Sequence, residues 1–361
     1  MKRKIRSIPR KAALAALLAL PLGVAPDIVG ACTRFIYGGP DNRILTARSM
    51  DWADEIGTNL WIFPRGVERT GLAGPNSITW TSQYGSVTAS AFDIATSDGM
   101  NEAGLVANLL WLAEAEYPRW DGEAPTLSVS LWAQYMLDNF ATVAEAVEAA
   151  EREGLVVVTD TIPGTERTAT VHLSLSDSSG DSAILEYIGG ELTIHHGREH
   201  RVMTNSPIYE QQLALTAYWR SIGGTTMLPG TNRAADRFAR ASFYIDAIPK
   251  VDDRRIATAA TFSVIRNVSV PYGITTPGEP NISSTRWRVV ADHKDMIYHF
   301  ESALTPNVFW VDLTNFDFSP EAGTRTLQLG VGQSRVFSGE VSDRFEVAEP
   351  FDFLAVAPEE H

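Results

Sequence analysis

Cys32 is the single cysteine of the chain, and it directly follows the small residues Val29-Gly30-Ala31. A chain with one cysteine cannot build a disulfide framework. Cleavage after Ala31 would make Cys32 the first residue of the mature protein, where it holds both a thiol nucleophile and a free α-amine. The reference pKa of an α-amine, about 8, suits a general base near neutral pH. One residue could then supply the nucleophile and the base of an acyl-transfer reaction.

The segment before Cys32 has the layout of a secretory signal peptide. A basic start is followed by an apolar run over residues 12–25 and by the small residues that precede the cysteine. The apolar run is too short to span a bilayer. We therefore predict that residues 1–31 are removed and that residues 32–361 form a single exported domain without stable membrane insertion.

Composition narrows the class of partner. The chain has 361 residues, 44% of them hydrophobic, so it can fill a substantial core. Its net charge of −14 argues against a nucleic-acid partner and against a polybasic membrane surface. Composition alone therefore argues against both kinds of partner.

Three other interpretations of Cys32 stay open at this point. Val-Gly-Ala-Cys also resembles a lipobox, in which the cysteine is lipidated and its amine acylated; the chain would then be a lipid-anchored, non-catalytic binding protein. Against this, the strand-like residues that follow Cys32 do not form a polar tether. An inert buried thiol is the usual fate of a lone cysteine. A papain-like cysteine–histidine pair lacks its local sequence pattern here.

The residues after Cys32 predict a hairpin. Residues 32–37 and 43–49 have strand character, and the turn residues 38–42 separate them. A turn centred between residues 40 and 41 would place Cys32 opposite Ser49, with Arg48 and Asp51 close by. An arginine favours the thiolate, and a carboxylate can orient the amine. The simpler alternative is an exposed salt bridge at a strand end.

Several sequence blocks resemble the choloylglycine hydrolase and penicillin V acylase family of N-terminal nucleophile hydrolases. The first block begins at Cys32-Thr33-Arg34-Phe35, and the others follow in the order that the family shows. They are Thr46-Ala47-Arg48-Ser49-Met50-Asp51-Trp52, Asp98-Gly99-Met100-Asn101-Glu102-Ala103-Gly104-Leu105, Val202-Met203-Thr204-Asn205-Ser206-Pro207, Leu228-Pro229-Gly230, Asp236-Arg237-Phe238 and the tail from Asn307 to Leu313.

The resemblance implies a mechanism and a set of site residues. Cys32 would attack the amide carbonyl, form a thioester and use its own α-amine as base. Arg48 and Asp51 match the residues that flank this nucleophile, and Asn205 matches the asparagine that donates to the oxyanion. Without the resemblance, Asn205 would be interpreted as a turn residue. Arg237 matches the distal arginine, and Arg240, on the same helical face, is the alternative. Neither a metal nor an organic cofactor is implied.

Two tryptophans bear on the substrate. Trp111 stands where the bile-salt branch of the family has an asparagine, and Trp52 directly follows Asp51. Both features resemble the Gram-negative cluster of the family. The members of that cluster cleave penicillin V and often long-chain N-acyl homoserine lactones. Two indoles can line an apolar acyl pocket, although isolated tryptophans are more often core residues. The resemblance implies a periplasmic amidohydrolase acting on a small N-acyl amide, with a bile-salt hydrolase as the alternative. A homo-oligomer stays open, but the short segment between Asn205 and Leu228 does not favour assembly there.

The remaining elements must hold these residues in place. Residues 171–175, 183–188 and 191–195 predict a strand meander, whereas residues 127–153, 208–220 and 234–248 have helical composition. Together with the resemblance, this predicts an α+β fold, the αββα sandwich of N-terminal nucleophile hydrolases. His195, His196 and His200 lack a partner at ligand spacing, so we expect no metal site.

Overall fold

The computed structural model describes residues 31–274, 283–305, 307–330, 332 and 334–357. Residues 1–30 lie outside the described residues, so the signal peptide and its removal stay predictions.

The described residues form strands over most of the chain. In chain order the strands are β1 (Thr33–Gly38), β2 (Ile44–Trp52), β3 (Leu60–Phe63), β4 (Glu68–Thr70), β5 (Thr79–Thr81), β6 (Ser86–Ala91), β7 (Ala95–Asn101), β8 (Val106–Trp111), β9 (Thr126–Ser128), β10 (Val156–Val158), β11 (Val171–Ser176), β12 (Ser182–Ile188), β13 (Glu191–His196), β14 (Val202–Met203), β15 (Ser284–Asp292), β16 (Ile297–Ser302), β17 (Val308–Asp312), β18 (Arg325–Leu327), β19 (Gly339–Glu340) and β20 (Glu346–Val347).

Two large sheets, stacked face to face, account for most of these strands. The first has the order β14-β1-β2-β15-β16-β17-β19, and the second has the order β13-β12-β11-β8-β7-β6-β3-β18-β20. Neighbouring strands are antiparallel except for β17 and β19. Each sheet combines strands from both ends of the chain, so neither sheet can form from a contiguous half of the sequence.

Helices cover the outer faces of both sheets. They are α1 (Trp132–Asn139), α2 (Val143–Glu153), α3 (Tyr209–Ile222), α4 (Ala234–Ala247) and α5 (Arg254–Asn267). The first two pack on the second sheet, while α4 and α5 pack on the first and α3 packs on α4. The arrangement is the predicted αββα sandwich, and the meander over β11, β12 and β13 agrees with its sequence prediction.

Polar side chains join the two sheets across a largely apolar core. Thr46 of β2 bonds Ser176 of β11 at 2.7 Å, and Tyr298 of β16 donates to Asp98 of β7 at 2.6 Å. Arg34, fully buried, donates to the carbonyl of Leu175 at 2.9 Å. A buried polar group without a partner is costly, so these bonds fix how one sheet sits on the other.

The register of the β1–β2 hairpin differs from the prediction by one residue. Thr33, not Cys32, lies opposite Ser49. The turn is centred on Asp41, because Asp41 and Asn42 both adopt a left-handed backbone, with φ of 51° and 55°. The Gly39 N–H donates to the Arg43 carbonyl at 2.8 Å and closes the turn. An odd number of turn residues shifts the pairing by one position. Extending this register places Cys32 across from Met50.

The single helical stretch predicted over residues 127–153 is wrong. It begins as β9, continues through a short 3₁₀ segment and breaks between α1 and α2. Phe140 is extended, and Thr142 starts α2 through a capping box with Glu145. The extended Phe140 ends α1 and the capping box begins α2, and composition alone revealed neither boundary.

In the part of the chain that the structure describes, no helix has both the length and the apolar character to cross a bilayer.

Candidate active site

Cys32 lies immediately before β1, with its thiol buried between the two sheets. The Asp51 backbone N–H donates to Sγ at 3.4 Å, and Arg48 Nη2 lies 3.9 Å from Sγ. Burial raises the pKa of the thiol; Arg48 opposes this rise, and Asp51 adds to it through its charge. The thiol is therefore protonated at neutral pH and needs a base before it can act as a nucleophile.

Arg48 reaches the thiol from the middle of β2 and is fully buried. Its Nη2 also donates to the Leu109 carbonyl at 3.0 Å, and its guanidinium lies 4.5 Å from the centre of the Trp287 ring. Its Nη1 lies 4.0 Å from the Asp98 carboxylate. Nη1 and Nε have no hydrogen-bond partner among the described residues. Arg48 is thus a buried cation held between the Asp98 carboxylate and the Cys32 thiol.

Asp98 lies beside Arg48, although the sequence analysis gave it no role. Its carboxylate accepts from Tyr298 at 2.6 Å and from Asn108 at 2.7 Å, in addition to its contact with Arg48. Burial raises the pKa of Asp98 to about 6, although Arg48 and the two donors favour the ionised form. The available signal for a role of Asp98 was its charge in a part of β7 that is fully buried. The partners of Asp98, however, lie on three other strands, so the signal did not identify them.

Asp51 lies on the other side of the thiol, at the end of β2. Its Oδ1 accepts from Thr285 at 2.5 Å, and its Oδ2 accepts from Ser49 at 3.2 Å. Ser49 Oγ in turn accepts from the Thr33 backbone N–H at 3.3 Å, which connects Asp51 to the start of β1. Burial raises the pKa of Asp51 to about 6, and Arg237 is the largest influence that lowers it.

Arg237 connects the start of β1 to Asn205. Its Nη1 donates to the Cys32 carbonyl at 2.6 Å, and its Nη2 donates to Asn205 Oδ1 at 3.0 Å. Asn205 Nδ2 consequently points the other way and donates to the Trp111 carbonyl at 2.7 Å. An amide nitrogen carries two hydrogens, so a second donor stays available on Asn205. Burial lowers the pKa of Arg237 to about 10, which leaves the guanidinium charged at neutral pH.

Arg240, the alternative to Arg237, has a different position. Its Nη1 donates to the carbonyls of Pro229 and Thr231, both at 2.8 Å. It therefore holds the loop before α4 and, unlike Arg237, forms no hydrogen bond with Cys32 or Asn205, both of which the structure describes. Gln212 of α3 supports the Asn205 loop, since its Nε2 donates to the Asn205 carbonyl at 2.9 Å.

A cavity opens beside the thiol. It encloses about 800 Å³, including space that opens to solvent, which is within the range of ligand pockets. Apolar side chains dominate its wall, and Cys32 and Arg48 belong to it. The lining also includes Trp52, Ile56, Phe92, Ile94, Leu109, Trp111, Ile162 and Ala169.

Trp52 and Trp111 meet on this wall, as the pocket interpretation requires. Their ring centres are 5.3 Å apart, and the rings are tilted by 59°. Both are half-buried rather than packed in the core. Arg167, which the sequence analysis did not single out, lies with its guanidinium 5.8 Å from the centre of the Trp52 ring.

The histidines near the end of β13 form a separate cluster. The ring centres of His195 and Tyr209 are 4.8 Å apart, with the rings tilted, and Glu186 accepts from His172 at 2.9 Å. Glu186 also accepts from the Tyr209 backbone N–H, and its pKa falls to about 2 because these bonds outweigh the effect of burial. Within the described residues, no group of three or more His, Cys, Asp or Glu side chains is arranged to hold a metal ion.

Comparison with known proteins identifies the family. A sequence model of the linear amide C–N hydrolases, choloylglycine hydrolase family, matches residues 32–322. The chain belongs to the choloylglycine hydrolase family. Penicillin V acylase from Pectobacterium atrosepticum is 55% identical over 362 residues, covering 94% of this chain and 96% of that protein.

Solved structures agree with membership of the choloylglycine hydrolase family. The structure of penicillin V acylase from Agrobacterium tumefaciens is 61% identical, with a TM-score of 0.84, and the match covers 90% of this chain and 100% of that one. A variant of conjugated bile acid hydrolase from Clostridium perfringens shares the fold at 22% identity, with a TM-score of 0.72 and coverage of 84% and 99%. The chain is accordingly an amidohydrolase that acts on linear amides.

Proposed function

We propose that the chain hydrolyses N-acyl amides with an apolar acyl group, as a penicillin V acylase does, and that Cys32 is its nucleophile. One observation carries the proposal: the only thiol of the chain lies on the wall of an apolar cavity, with a backbone N–H at 3.4 Å and an arginine at 3.9 Å from Sγ. The relatives named penicillin V acylase support the choice of substrate.

The base of the reaction is the α-amine of Cys32. The nitrogen of Cys32 is bonded to Ala31 in the full chain, so the amine exists only after cleavage between these residues. We propose that this cleavage accompanies export to the periplasm. The amine then removes the thiol proton, which the raised pKa of the thiol makes necessary. Asp51, connected through Ser49 to the start of β1, holds this end of the chain and favours the protonated amine.

The chemical step has two halves. In the first, Sγ bonds to the acyl carbon, and the carbon–nitrogen bond breaks as the ammonium of Cys32 returns its proton to the leaving amine. In the second, water attacks the thioester and gives its proton to the α-amine; the carbon–sulfur bond then breaks, the carboxylic acid leaves, and the ammonium of Cys32 returns the proton to Sγ. The negative charge on the carbonyl oxygen develops in both halves. The second hydrogen of Asn205 Nδ2, oriented by Arg237, is the side-chain donor to this oxyanion.

A long-chain N-acyl homoserine lactone is the second candidate substrate. The observation that favours it is the cavity wall, where Ile56, Ile94 and Leu109 extend the aromatic surface of the two tryptophans with aliphatic side chains. Burial of each methylene contributes about 0.8 kcal/mol, so an alkyl chain gains affinity from the same wall as a phenoxyacetyl group. A conjugated bile salt, with its rigid ring system, is the alternative that the substrate comparison tests.

Two experiments test the proposal. The first is the intact mass of the protein expressed with its own leader. A mass corresponding to residues 32–361, with a free amine and thiol, supports the mechanism, and a mass increased by lipid groups contradicts it.

The second experiment compares turnover of penicillin V, an N-acyl homoserine lactone and glycocholate by the wild type and the Cys32→Ala variant. We expect no turnover by Cys32→Ala; residual turnover above background would reject Cys32 as nucleophile, and a preference for glycocholate would reject the substrate assignment.

A further inference from the structure

We propose that Arg167 recognises a carboxylate on the amine half of the substrate, so that the enzyme prefers N-acyl amides whose leaving amine is an anionic, amino-acid-like group. This inference rests on the function proposed above, because it assumes that the acyl half of the substrate occupies the apolar cavity beside Cys32.

The cavity itself provides no free charge for an anionic substrate. Arg48 is the cation on its wall, but it is fully buried and faces the Asp98 carboxylate, the Leu109 carbonyl and the Trp287 ring. The rest of the wall is mostly apolar. This interior suits the acyl half, and we therefore place the amine half, on the far side of the scissile bond, toward the solvent-exposed rim.

A turn between β10 and β11 places Arg167 at that rim. Ile162 and Ala169 of this segment lie on the cavity wall. The turn is closed by hydrogen bonds, from Ile162 N–H to the Arg167 carbonyl at 2.8 Å and from Ala169 N–H to the Asp160 carbonyl at 3.0 Å. The backbone at Arg167 is therefore fixed relative to the cavity, while its side chain is only half-buried.

The Arg167 guanidinium contacts an aromatic ring but has no polar partner among the described residues. It lies over Trp52, 5.8 Å from the ring centre, at the outer limit of a cation–π contact. Its side chain has no hydrogen bond or ion pair with any of the described residues, and its neighbour Glu166 is exposed. By contrast, Arg286, which also contacts the Trp52 segment, donates to the Trp52 and Ala53 carbonyls.

This arrangement suits a carboxylate. A guanidinium that lies over an aromatic ring can still present its planar row of N–H donors, which matches the two oxygens of a carboxylate. The contact with the ring also restricts the side chain before the ligand binds, which lowers the entropic cost of binding. A neutral amine half, such as a homoserine lactone, would gain nothing from this charge.

Penicillin V and its methyl ester provide the test, since they share both halves and differ in the charge of the amine half. We expect Arg167→Gln to raise KM for penicillin V about fivefold, the effect of a partly exposed ion pair near 1 kcal/mol, with kcat unchanged. The ester should keep its KM. Arg167→Glu should raise KM for penicillin V further. Arg255→Gln, which makes the same change of charge at an exposed position of α5, is the control and should leave both substrates unaffected.

Binding separates this inference from the catalytic proposal. Dissociation constants of the acid and the ester are measured by calorimetry on the Cys32→Ala variant, with and without Arg167→Gln. A preference for the acid that disappears with Arg167→Gln supports the inference even if turnover fails and the mechanism proposed for Cys32 is wrong. Equal changes for acid and ester, no change for either, or no binding of either ligand would overturn it, because a purely structural role affects both ligands alike.

Discussion

Replacing Asn205 by aspartate tests the oxyanion role with little change of shape. The carboxylate can still accept from Arg237, where the amide oxygen now does so at 3.0 Å. It cannot donate, so the bond to the Trp111 carbonyl and the donor to the oxyanion are both lost. Loss of the first costs about 1 kcal/mol of stability, which the stronger bond to Arg237 offsets in part.

The expected loss of activity is much larger than the loss of stability. Removal of one oxyanion donor costs about 3 kcal/mol of transition-state stabilisation, or roughly 10²-fold to 10³-fold in kcat. Because the ground-state carbonyl oxygen makes a weaker bond to the same donor, KM should change little. The assay is steady-state hydrolysis of penicillin V, with thermal unfolding measured on the same preparation.

Asn101→Asp provides a matched control. Asn101 is a buried asparagine whose Nδ2 donates to the Leu137 and Phe140 carbonyls, away from the cavity. Its aspartate variant should lose stability but keep kcat. If Asn205→Asp retained kcat within about threefold of the wild type, or if both variants lost activity in proportion to stability, the oxyanion assignment would be refuted.

Three further predictions concern the surrounding residues. Trp52→Ala removes one of the two indoles on the cavity wall and should raise KM for penicillin V about tenfold. Trp80→Ala, outside the cavity, is the control and should leave KM unchanged. Equal KM values for the two variants would contradict the pocket role. Arg237→Lys cannot bond both the Cys32 carbonyl and Asn205, so kcat should fall at least about tenfold, whereas Arg240→Lys should lower the unfolding temperature and spare kcat. Asp98, with its pKa raised to about 6, binds a proton more tightly in the folded than in the unfolded chain, so ionisation above pH 4 lowers stability. The free energy of unfolding of Asp98→Asn, relative to that of the wild type, should therefore rise by up to about 3 kcal/mol between pH 4 and pH 7. Denaturant unfolding measures this difference, and a difference that does not change with pH would contradict the prediction.

Local sequence patterns located most of the elements but not their exact alignment. The hairpin after Cys32 was evident from its turn residues, yet its register depended on two consecutive left-handed residues, Asp41 and Asn42. Asparagine and aspartate tolerate this conformation without requiring it, so the sequence could not distinguish a turn centred on residue 41 from one centred half a residue earlier. Arg48 and Asp51 still reach the thiol, because Cys32 lies just outside the paired part of β1.

Partners that lie far apart in the sequence were harder to predict. Asn205 and Arg237 were selected through resemblance, and the structure adds that one orients the other. Asp98 was recognised as part of a sequence block, but its contacts with Arg48 and Tyr298 cross between the two sheets. Arg167 carried no local signal at all, since only the folded turn brings it over Trp52. Contacts between sheets depend on how the layers stack, and strand patterns leave this undetermined.

The bonds that hold Cys32 have a consequence for activation. Arg237 donates to the Cys32 carbonyl, and the Asp51 N–H donates to Sγ, so these hydrogen bonds act on atoms that belong to Cys32 and not to the residues before it. Cutting the bond between Ala31 and Cys32 breaks none of these contacts. The proposed conversion of precursor into enzyme is therefore a change of one functional group, from an amide nitrogen to an amine, with no rearrangement required of the residues around it. Such an enzyme would switch on in a single covalent event.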